Sequence, residues 1–535
     1  MDLALQGIDV LLIDKSDYCT GASAASSRMI HGGLRYLEFG EFRLVKEALK
    51  DRNLLLQNAP HYVFPLPTTI PIFKWVSGAV TSVRKFLHLG GNRPAHRGAA
   101  MVKAGLTFYD VFTRKSRLVP KHKFTSRAES LKKRPLLNPD LLMTATYYDA
   151  WISYPERLCL ELLMDGQQLC GEAVSLNYAA VQDISGDTVS LRDELSGDAL
   201  PIQPKVVVNA TGGWIDFTNR QLGLETRLIG GTRGAHLVID NRQLYETLQG
   251  EMIYYETSDG RVSIALPWQG KSLIGSTDIR VDNPDDVRCT EEETDYILDS
   301  IHQVLPDLKL DRSHIVSRFS GVRPLRYSDA SATVQVSRDH HCEVIEPTDR
   351  MKFPVYCMAG GKWTTFRAFA EQVTDRLLRS FGKTRCHGTE ALPIGGGRGF
   401  PQSDAARRAW LADLQARTDL PPQRLETLLQ RYGTRAEQVA AFCAAEPDEP
   451  LQHHAEYTRR EVEFIVRHEG VIHPEDLVLR RTVLALIGDL TPELLQELVA
   501  IMAPLRGWSE DDIRRETDRT VDILQDRFRI VCKPG

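Results

Sequence analysis

Val10-Leu11-Leu12-Ile13 reads as a buried strand that closes in Asp14 and runs into a row of small residues, Gly21-Ala22-Ser23-Ala24-Ala25. A dense polar stretch follows, Ser26-Ser27-Arg28-Met29-Ile30-His31-Gly32-Gly33-Leu34-Arg35-Tyr36-Leu37-Glu38. Few folds accommodate that order. Small residues let the backbone approach a ligand closely, and two glycines permit a turn with φ > 0 that gathers the flanking side chains. A helix-entry loop with chance polar residues is the competing, less favoured reading when the stretch is taken alone. Three further stretches tip the balance.

Lys205-Val206-Val207-Val208-Asn209-Ala210-Thr211-Gly212-Gly213-Trp214 predicts a buried parallel strand with a tight turn at its carboxyl end, where open α/β sheets bind ligands. Ser320-Gly321-Val322-Arg323-Pro324-Leu325 sets an arginine in a rigid Gly/Pro frame, and a pre-set guanidinium suits phosphate or carboxylate. Val355-Tyr356-Cys357-Met358-Ala359-Gly360-Gly361-Lys362-Trp363-Thr364-Thr365-Phe366-Arg367 predicts a strand, a Gly-Gly turn and a helix through about Leu378. Free amides at that helix start, with Lys362 beside them, make a place for negative charge.

The intervening chain reads coarsely. Glu41 to Leu56 carries Phe42, Val45, Leu49 and Leu56 at helical spacing. Pro60, Pro65, Pro67 and Pro71 predict an irregular segment after it. Leu158 to Gly166 reads as a short helix, and Gly171 to Val181 as one following strand. Gly234 to Thr277 alternates like antiparallel strands. Leu392-Pro393-Ile394-Gly395-Gly396-Gly397 reads as a linker, beyond which only helices are expected, with a capping box at Thr458–Glu461, a helix entry at Thr491-Pro492 and a cap at Ser509. Two units follow, 1–392 and 398–535, with substrate-side parts at about 60–145 and 234–335.

With 535 residues and a net charge of −5 the chain is long enough for several domains and shows no general nucleic-acid signature. From Arg52 to Ala128, however, it holds thirteen Lys/Arg and one acid, Asp110. There Trp75, Val76, Val80, Val83, Phe86 and Leu87 interleave with Lys74, Arg84 and Lys85, which suits either an anionic membrane surface or a solvated basic face. Nine cysteines without CxxC pairs read as free thiols, and Asp339-His340-His341-Cys342 lacks a second ligand pair, so no metal is expected. No apolar run is long enough to span a bilayer and no signal peptide is recognisable, so a cytoplasmic location is expected.

In one respect the chain departs from dinucleotide folds: no G-x-G-x-x-G turn precedes Asp14, whose place suits ribose hydroxyls. Either no dinucleotide site exists, or the sequence starts late, inside its first βαβ unit.

Taken in order, SSRMIHGGLRYLE (26–38), VNATGGW (208–214), IGSTD (274–278), SGVRPL (320–325), GGKWTTFR (360–367) and YTRREVEFIVRHEG (457–470) resemble FAD-dependent glycerol-3-phosphate dehydrogenase of the aerobic, quinone-linked type. The resemblance implies an α/β plus all-α chain: a D-amino-acid-oxidase-like, Rossmann-type FAD domain with an inserted antiparallel substrate sheet, then a helical C-terminal domain. It implies FAD contacts at Asp14, Ser23, Ser26, Ser27, Gly32, Gly33, Val181, Ala210, Thr211, Gly212, Gly360, Gly361, Lys362 and Thr364. It implies substrate contacts at Arg35, Tyr36, Thr277 and Arg338, with Arg35 and Arg338 on phosphate. Catalysis falls to His31, His236, Arg323 and Lys362, either histidine serving as the base. Partners are sn-glycerol 3-phosphate, membrane quinone and an anionic membrane surface on the inner face of the cell membrane; a homodimer is left open.

The departures are the missing amino-terminal turn (read as a truncated amino terminus), Ala22 and Ala24 in place of hydroxyls, Arg28 in place of a lysine, and Trp151–Glu156 in place of an acidic pair. The segment from Phe73 to Lys103 is longer than in bacterial members, and no EF-hand loop follows. The competing readings are an oxidase that forms hydrogen peroxide, a related enzyme of another hydroxy acid or amine, and a non-catalytic relative.

Overall fold

The computed structural model describes residues 1–33, 41–75, 99–113, 118–328 and 339–532. The largest sheet has ten strands. Its main order is β15 (Ile279–Arg280), β11 (Thr232–Ile239), β14 (Lys271–Gly275), β13 (Val262–Trp268), β12 (Met252–Glu256), β3 (Val63–Ile72), β5 (Met143–Ile152) and β2 (Met29–Ile30). Two more strands join it, β16 (Ile315–Arg323) on β11 and β4 (Lys123–Ser126) on β5. Pairing is antiparallel except between β3 and β12.

Strand periodicity sends alternate residues to opposite faces. Val238, Ile264, Leu266, Trp268, Leu273 and Phe319 join one core with Val462, Ile465, Leu495 and Leu498 of the C-terminal helices. Leu237, Ile239, Ala265 and Ile274 form a second core with Leu244, Ile297 and Ile301.

A second, parallel sheet comes in two pieces. β1 (Val10–Ile13) pairs with β6 (Ala173–Leu176), and β10 (Val207–Asn209) pairs with β18 (Val355–Ala359), whose other edge carries β17 (His341–Ile345) antiparallel. A three-stranded antiparallel sheet holds β7 (Ala179–Ser185), β8 (Thr188–Asp193) and β9 (Ala199–Ile202). Among the described residues no strand lies beyond 359, and helices run from Asp404 to Phe528.

Several expectations change. The Val10–Ile13 strand is expected buried, yet Leu11 and Leu12, consecutive residues that point to opposite faces, are 39% and 38% exposed, so neither face of β1 is fully covered among the described residues. The proline-rich segment is not irregular: it is β3, in register with β5 along all ten residues. Pro65, Pro67 and Pro71 fall at alternate positions, so their missing N–H groups all point away from β5, and β12 pairs only at Thr68 and Thr69.

The segment 171–181 is two strands in different sheets, broken at Tyr178 with φ 57°. Gly395–Gly397 is a buried wedge rather than a slack linker. Its amides donate to Asp165 and Glu161, and Cβ atoms there would collide with Glu161, the Tyr432 carbonyl and the Asn58 carbonyl. At Thr458 only half a capping box forms: Thr458 accepts from the Glu461 amide, while the Glu461 side chain goes to Arg424, Arg431 and Tyr432. Arg35, Tyr36 and Arg338, and residues 76–98 of the basic segment, lie outside the described residues.

Candidate active site

The other three motif turns converge on the loop 21–33. Its start packs on the 208–214 turn, where a Cβ on Gly21 would lie 3.2 Å from Trp214. Its middle lies against β16, where a Cβ on Gly321 would press on Ala25 at 2.6 Å. Its Ser23 carbonyl accepts from Trp363 Nε1 at 2.8 Å, and the His31 amide donates to Thr364 Oγ1 at 3.1 Å. Ser26 Oγ accepts from the Arg28 amide, and Ser27 Oγ lies 2.8 Å from His236 Nε2.

His236 sits inside β11 opposite Gly275 and Phe319, and its ring stacks on Phe319 at 5.3 Å. It is 1% exposed. Burial, with Arg323 and Arg28 adding positive charge, presses its pKa down to about 3, so the imidazole is neutral through the neutral range. Nδ1 has no hydrogen-bond partner among the described residues.

Arg323 ends β16, pairing with Thr232. Its guanidinium lies over Gly234, two residues before His236 on the same strand, where any Cβ would collide with it. Nη1 donates to the Thr277 carbonyl at 3.1 Å and to Asp278 at 3.3 Å; Nη2 donates to Ser276 Oγ at 2.8 Å. The group is thereby fixed before any ligand arrives. The Thr277 hydroxyl is turned inward: it donates to Glu293 at 2.6 Å and accepts from the Ala235 amide at 2.9 Å. Thr277 therefore presents its carbonyl to Arg323 and props β11, while Glu293 also pairs with Arg233 at 2.9 Å.

Lys362 lies in the turn between Gly361 and the helix Phe366–Ser380, whose N-cap is Thr365. It stands four residues before the first helical position, not at the first turn, and the Thr365 amide donates to its carbonyl at 3.0 Å. Gly360 and Gly361 hold φ of 84° and 95°, and a Cβ on Gly360 would press on the Asp339 carbonyl.

The sequence reading missed the groups behind the His31-Gly32-Gly33 turn. The Gly32 amide donates to Asp149 Oδ1 and to the Tyr109 hydroxyl, both at 3.0 Å. Arg52 donates to the same Asp149 oxygen at 3.2 Å, and the Tyr109 hydroxyl bonds it too. A Cβ on Gly32 would strike Leu49 and Tyr109, so this glycine serves close packing. One signal was present: Arg52 falls on the apolar stripe of its helix, seven residues after Val45 and three after Leu49. Arg28, turned at φ 55°, is likewise buried; it forks onto Glu156 at 3.1 and 3.2 Å and lies 4.1 Å over Trp268.

On the parallel sheet, Asp14 accepts from the Ser16 amide at 3.0 Å, and burial raises its carboxyl to about 6. Asn209 donates to the Ile215 carbonyl and Asn219, and accepts from Thr211 Oγ1, which shapes the Ala210-Thr211-Gly212 turn. Val181 pairs with Leu191 beside a bulge and packs into the core that Ile13 shares with β18.

Residues 1–376 match the family model described as FAD dependent oxidoreductase, and 387–513 that of the C-terminal domain of alpha-glycerophosphate oxidase. The chain belongs to the FAD-dependent oxidoreductases. Glycerol-3-phosphate dehydrogenase of Synechocystis sp. is 30% identical over 98% of this chain and 93% of that protein. The aerobic glycerol-3-phosphate dehydrogenase of Bacillus subtilis is 27% identical over 90% of this chain and 84% of its own length. The fold matches a glycerol-3-phosphate dehydrogenase from Bacillus halodurans complexed with FAD, with a TM-score of 0.73, 22% identity and coverage of 98% and 91% of the two chains.

The flavoprotein's own residues fit both ends of FAD. A desolvated carboxylate stands at the end of β1 for ribose hydroxyls. Open space lies beside Gly212, where a Cβ would meet nothing within 4 Å. The Thr365 hydroxyl is buried without a partner among the described residues, three positions after Lys362. No G-x-G-x-x-G turn for the diphosphate occurs in the sequence before Asp14.

Proposed function

We propose that this flavoprotein oxidises the C2 alcohol of sn-glycerol 3-phosphate to dihydroxyacetone phosphate and passes the electrons on to membrane quinone. One observation carries the reading: the Ser27–His236–Arg323 cluster, a neutral imidazole beside a fixed guanidinium, lies where the four motif turns meet. Bound FAD supplies the two-electron acceptor for the C2 hydride. Asp14, Gly212 and Thr365 are the residues that would hold it, with the 21–27 loop alongside.

Alcohol oxidation also releases the hydroxyl proton, and the acceptor assigned to it is His236. An imidazole that is neutral in the resting protein is ready to take a proton without losing one first. Burial first, and then Arg323 and Arg28, depress its basicity, and a phosphate dianion that binds nearby offsets the charge part. Arg323 then lowers the energy of the alkoxide as the proton leaves, and Lys362 adds positive charge on the Gly-Gly turn side. Asp149, Arg52 and Tyr109 hold the His31-Gly32-Gly33 turn in place. Arg35, Tyr36 and Arg338 are assigned to the substrate and its phosphate on the strength of the motif resemblance, and the basic segment after Lys74 to an anionic membrane surface.

Anaerobic addition of sn-glycerol 3-phosphate to the FAD-loaded chain tests the reading. Bleaching of the flavin bands, followed by reoxidation with a soluble quinone and little peroxide, is the expected result. Unchanged bands on a loaded protein would sink it, and stoichiometric peroxide in air would move it to the oxidase. His236→Asn should cut the bleaching rate by about 10² to 10⁴, the range of general-base loss. The larger drop in His31→Asn would instead put the base there.

A further inference from the structure

A cavity of about 460 Å³ opens on the helical domain, far along the chain from the catalytic motifs. Arg467 and His468, in the last turn of the helix Arg459–His468, and Arg506, the last residue of the helix Pro492–Arg506, line it. Its remaining side chains are Val466, Ile472 and Leu505; no acid is among them. Three groups that carry or accept positive charge thus share one concavity with an apolar floor.

Arg506 stands apart from the other sheltered arginines of this domain. Arg407, Arg424, Arg431, Arg435, Arg460, Arg480 and Arg481 each lie against a carboxylate. Arg506 is half-buried, and among the described residues it has no carboxylate within 4 Å; neither have Arg467 and His468. One Nη2 contact goes to the Val466 carbonyl at 3.3 Å, and its shielded Nε has no partner among the described residues. The carbonyls that end the two helices offset part of this charge. They leave most of a guanidinium fork unused, and Asp476, the carboxylate that acts on Arg506 from beyond 4 Å, is already bonded by Arg480 and Tyr178, so the desolvated cation is only partly compensated.

We propose that this cavity binds a phosphate-bearing anion, held by Arg506 with Arg467 and His468 at its rim and with any short apolar portion on Val466, Ile472 and Leu505. A guanidinium fork backed by a second guanidinium and an imidazole matches a phosphate anion in both geometry and charge. The same chemistry is offered by a small phosphate ester in solution and by the headgroup of an anionic lipid. The inference is independent of the assigned catalytic reaction, since none of these residues touches the Ser27–His236–Arg323 cluster.

Isothermal titration of the full-length, FAD-loaded chain with inorganic phosphate tests the free-anion source. Co-sedimentation with vesicles of phosphatidylglycerol, against vesicles of phosphatidylcholine, tests the lipid source. A saturable phosphate site that weakens at least tenfold in Arg506→Gln and in the exposed His468→Gln, but not in Arg408→Gln elsewhere on the domain, is the expected result. The substrate concentration needed for flavin bleaching should stay unchanged in all three, which separates this site from the catalytic one. Phosphate titrations alike in every protein, with phosphatidylglycerol binding lost in Arg506→Gln and His468→Gln, assign the site to a headgroup. If both variants bind phosphate and vesicles as the parent does, Arg506 only caps its neighbouring helix and the proposal fails. His468 is exposed, so its variant reports even where Arg506→Gln does not fold.

Discussion

The ten-stranded sheet and the split parallel sheet treat their surfaces in opposite ways. On the first, both faces are covered: Val238 and Trp268 lie under the C-terminal helices, Leu237 and Ile274 under the helices Arg242–Leu248 and Glu291–His302. On the second, Leu11, Leu12, Val174 and Leu176 remain 37 to 46% exposed, and β1 and β10 each have a strand on one edge only among the described residues. The groups assigned to the substrate's proton and charge are fixed by packing that the chain supplies itself. The groups assigned to FAD sit on thinner support, braced from outside by buried ion pairs. Asp17, three residues after Asp14, takes bonds from both Arg480 and Arg481 of the helical domain.

Removing that brace should have the largest effect. Asp17→Ala leaves two buried guanidiniums facing each other with only Asp476 on Arg480 as compensation, and unpaired buried charge costs about 3–5 kcal/mol. Denaturant unfolding should show that loss, together with faster FAD release. A loss below about 1 kcal/mol would mean that the helical domain does not hold the parallel half, and the contrast between the two regions would need another cause.

Ile274→Ala probes the covered sheet. Ile274 is fully buried between β11 and β13 and packs on the helix at Ile297, so truncation should cost about 2–5 kcal/mol by the same measurement. A cost near zero would show that this sheet can collapse around the three lost carbons and is less fixed than its burial implies.

What was legible in the sequence follows the same division. Turns with small residues and charged neighbours announced themselves, because both signals are local: Gly-Gly opens backbone conformations that other residues avoid, and Arg-Pro restricts the residue before the proline. The alternation from Gly234 to Thr277 gave antiparallel strands for the same reason. The register of β3 did not show, since three prolines argue against a strand until a neighbour needs only the alternate amides. The Gly395–Gly397 wedge read as slack chain, because three glycines look alike whether they are loose or tightly clamped. Asp149, Arg52 and Tyr109 come from three separate segments and meet only in the fold. Asp14 was legible by position, but its raised pKa depends on burial that no spacing reveals.

That shift gives the third prediction. Burial lifts Asp14 from the ordinary 3.8 to about 6, so the folded chain keeps a proton there that the unfolded chain has already lost, and ionisation as pH rises works against folding. Ribose hydroxyls donate best to the ionised form. At pH 5 only about a tenth of a carboxyl with pKa 6 is ionised, so FAD affinity should improve about tenfold between pH 5 and 7. In Asp14→Asn the dissociation constant should be weaker at pH 7 and flat across that range. A pH dependence that survives the substitution would place the titrating group elsewhere.

Leu11→Ser should do least, and it tests the comparison most directly. Leu11 is 39% exposed and so still has about three-fifths of its surface covered, and the cost should be about 1 kcal/mol, below that of Ile274→Ala. The unfolding slope should hardly change, because one partly covered side chain is a small share of the surface exposed on unfolding. The measurement belongs beside Ile274→Ala at the same protein concentration, with and without FAD. A cost of about 3 kcal/mol or more, that of a fully buried leucine, would mean that something covers β1 in solution. Dependence of that cost on protein concentration would identify a second copy of the chain, and dependence on FAD would identify a segment ordered by the cofactor. In either case the open edge of the parallel sheet would be a surface completed on binding, and the contrast with the ten-stranded sheet would hold only for the isolated, flavin-free chain.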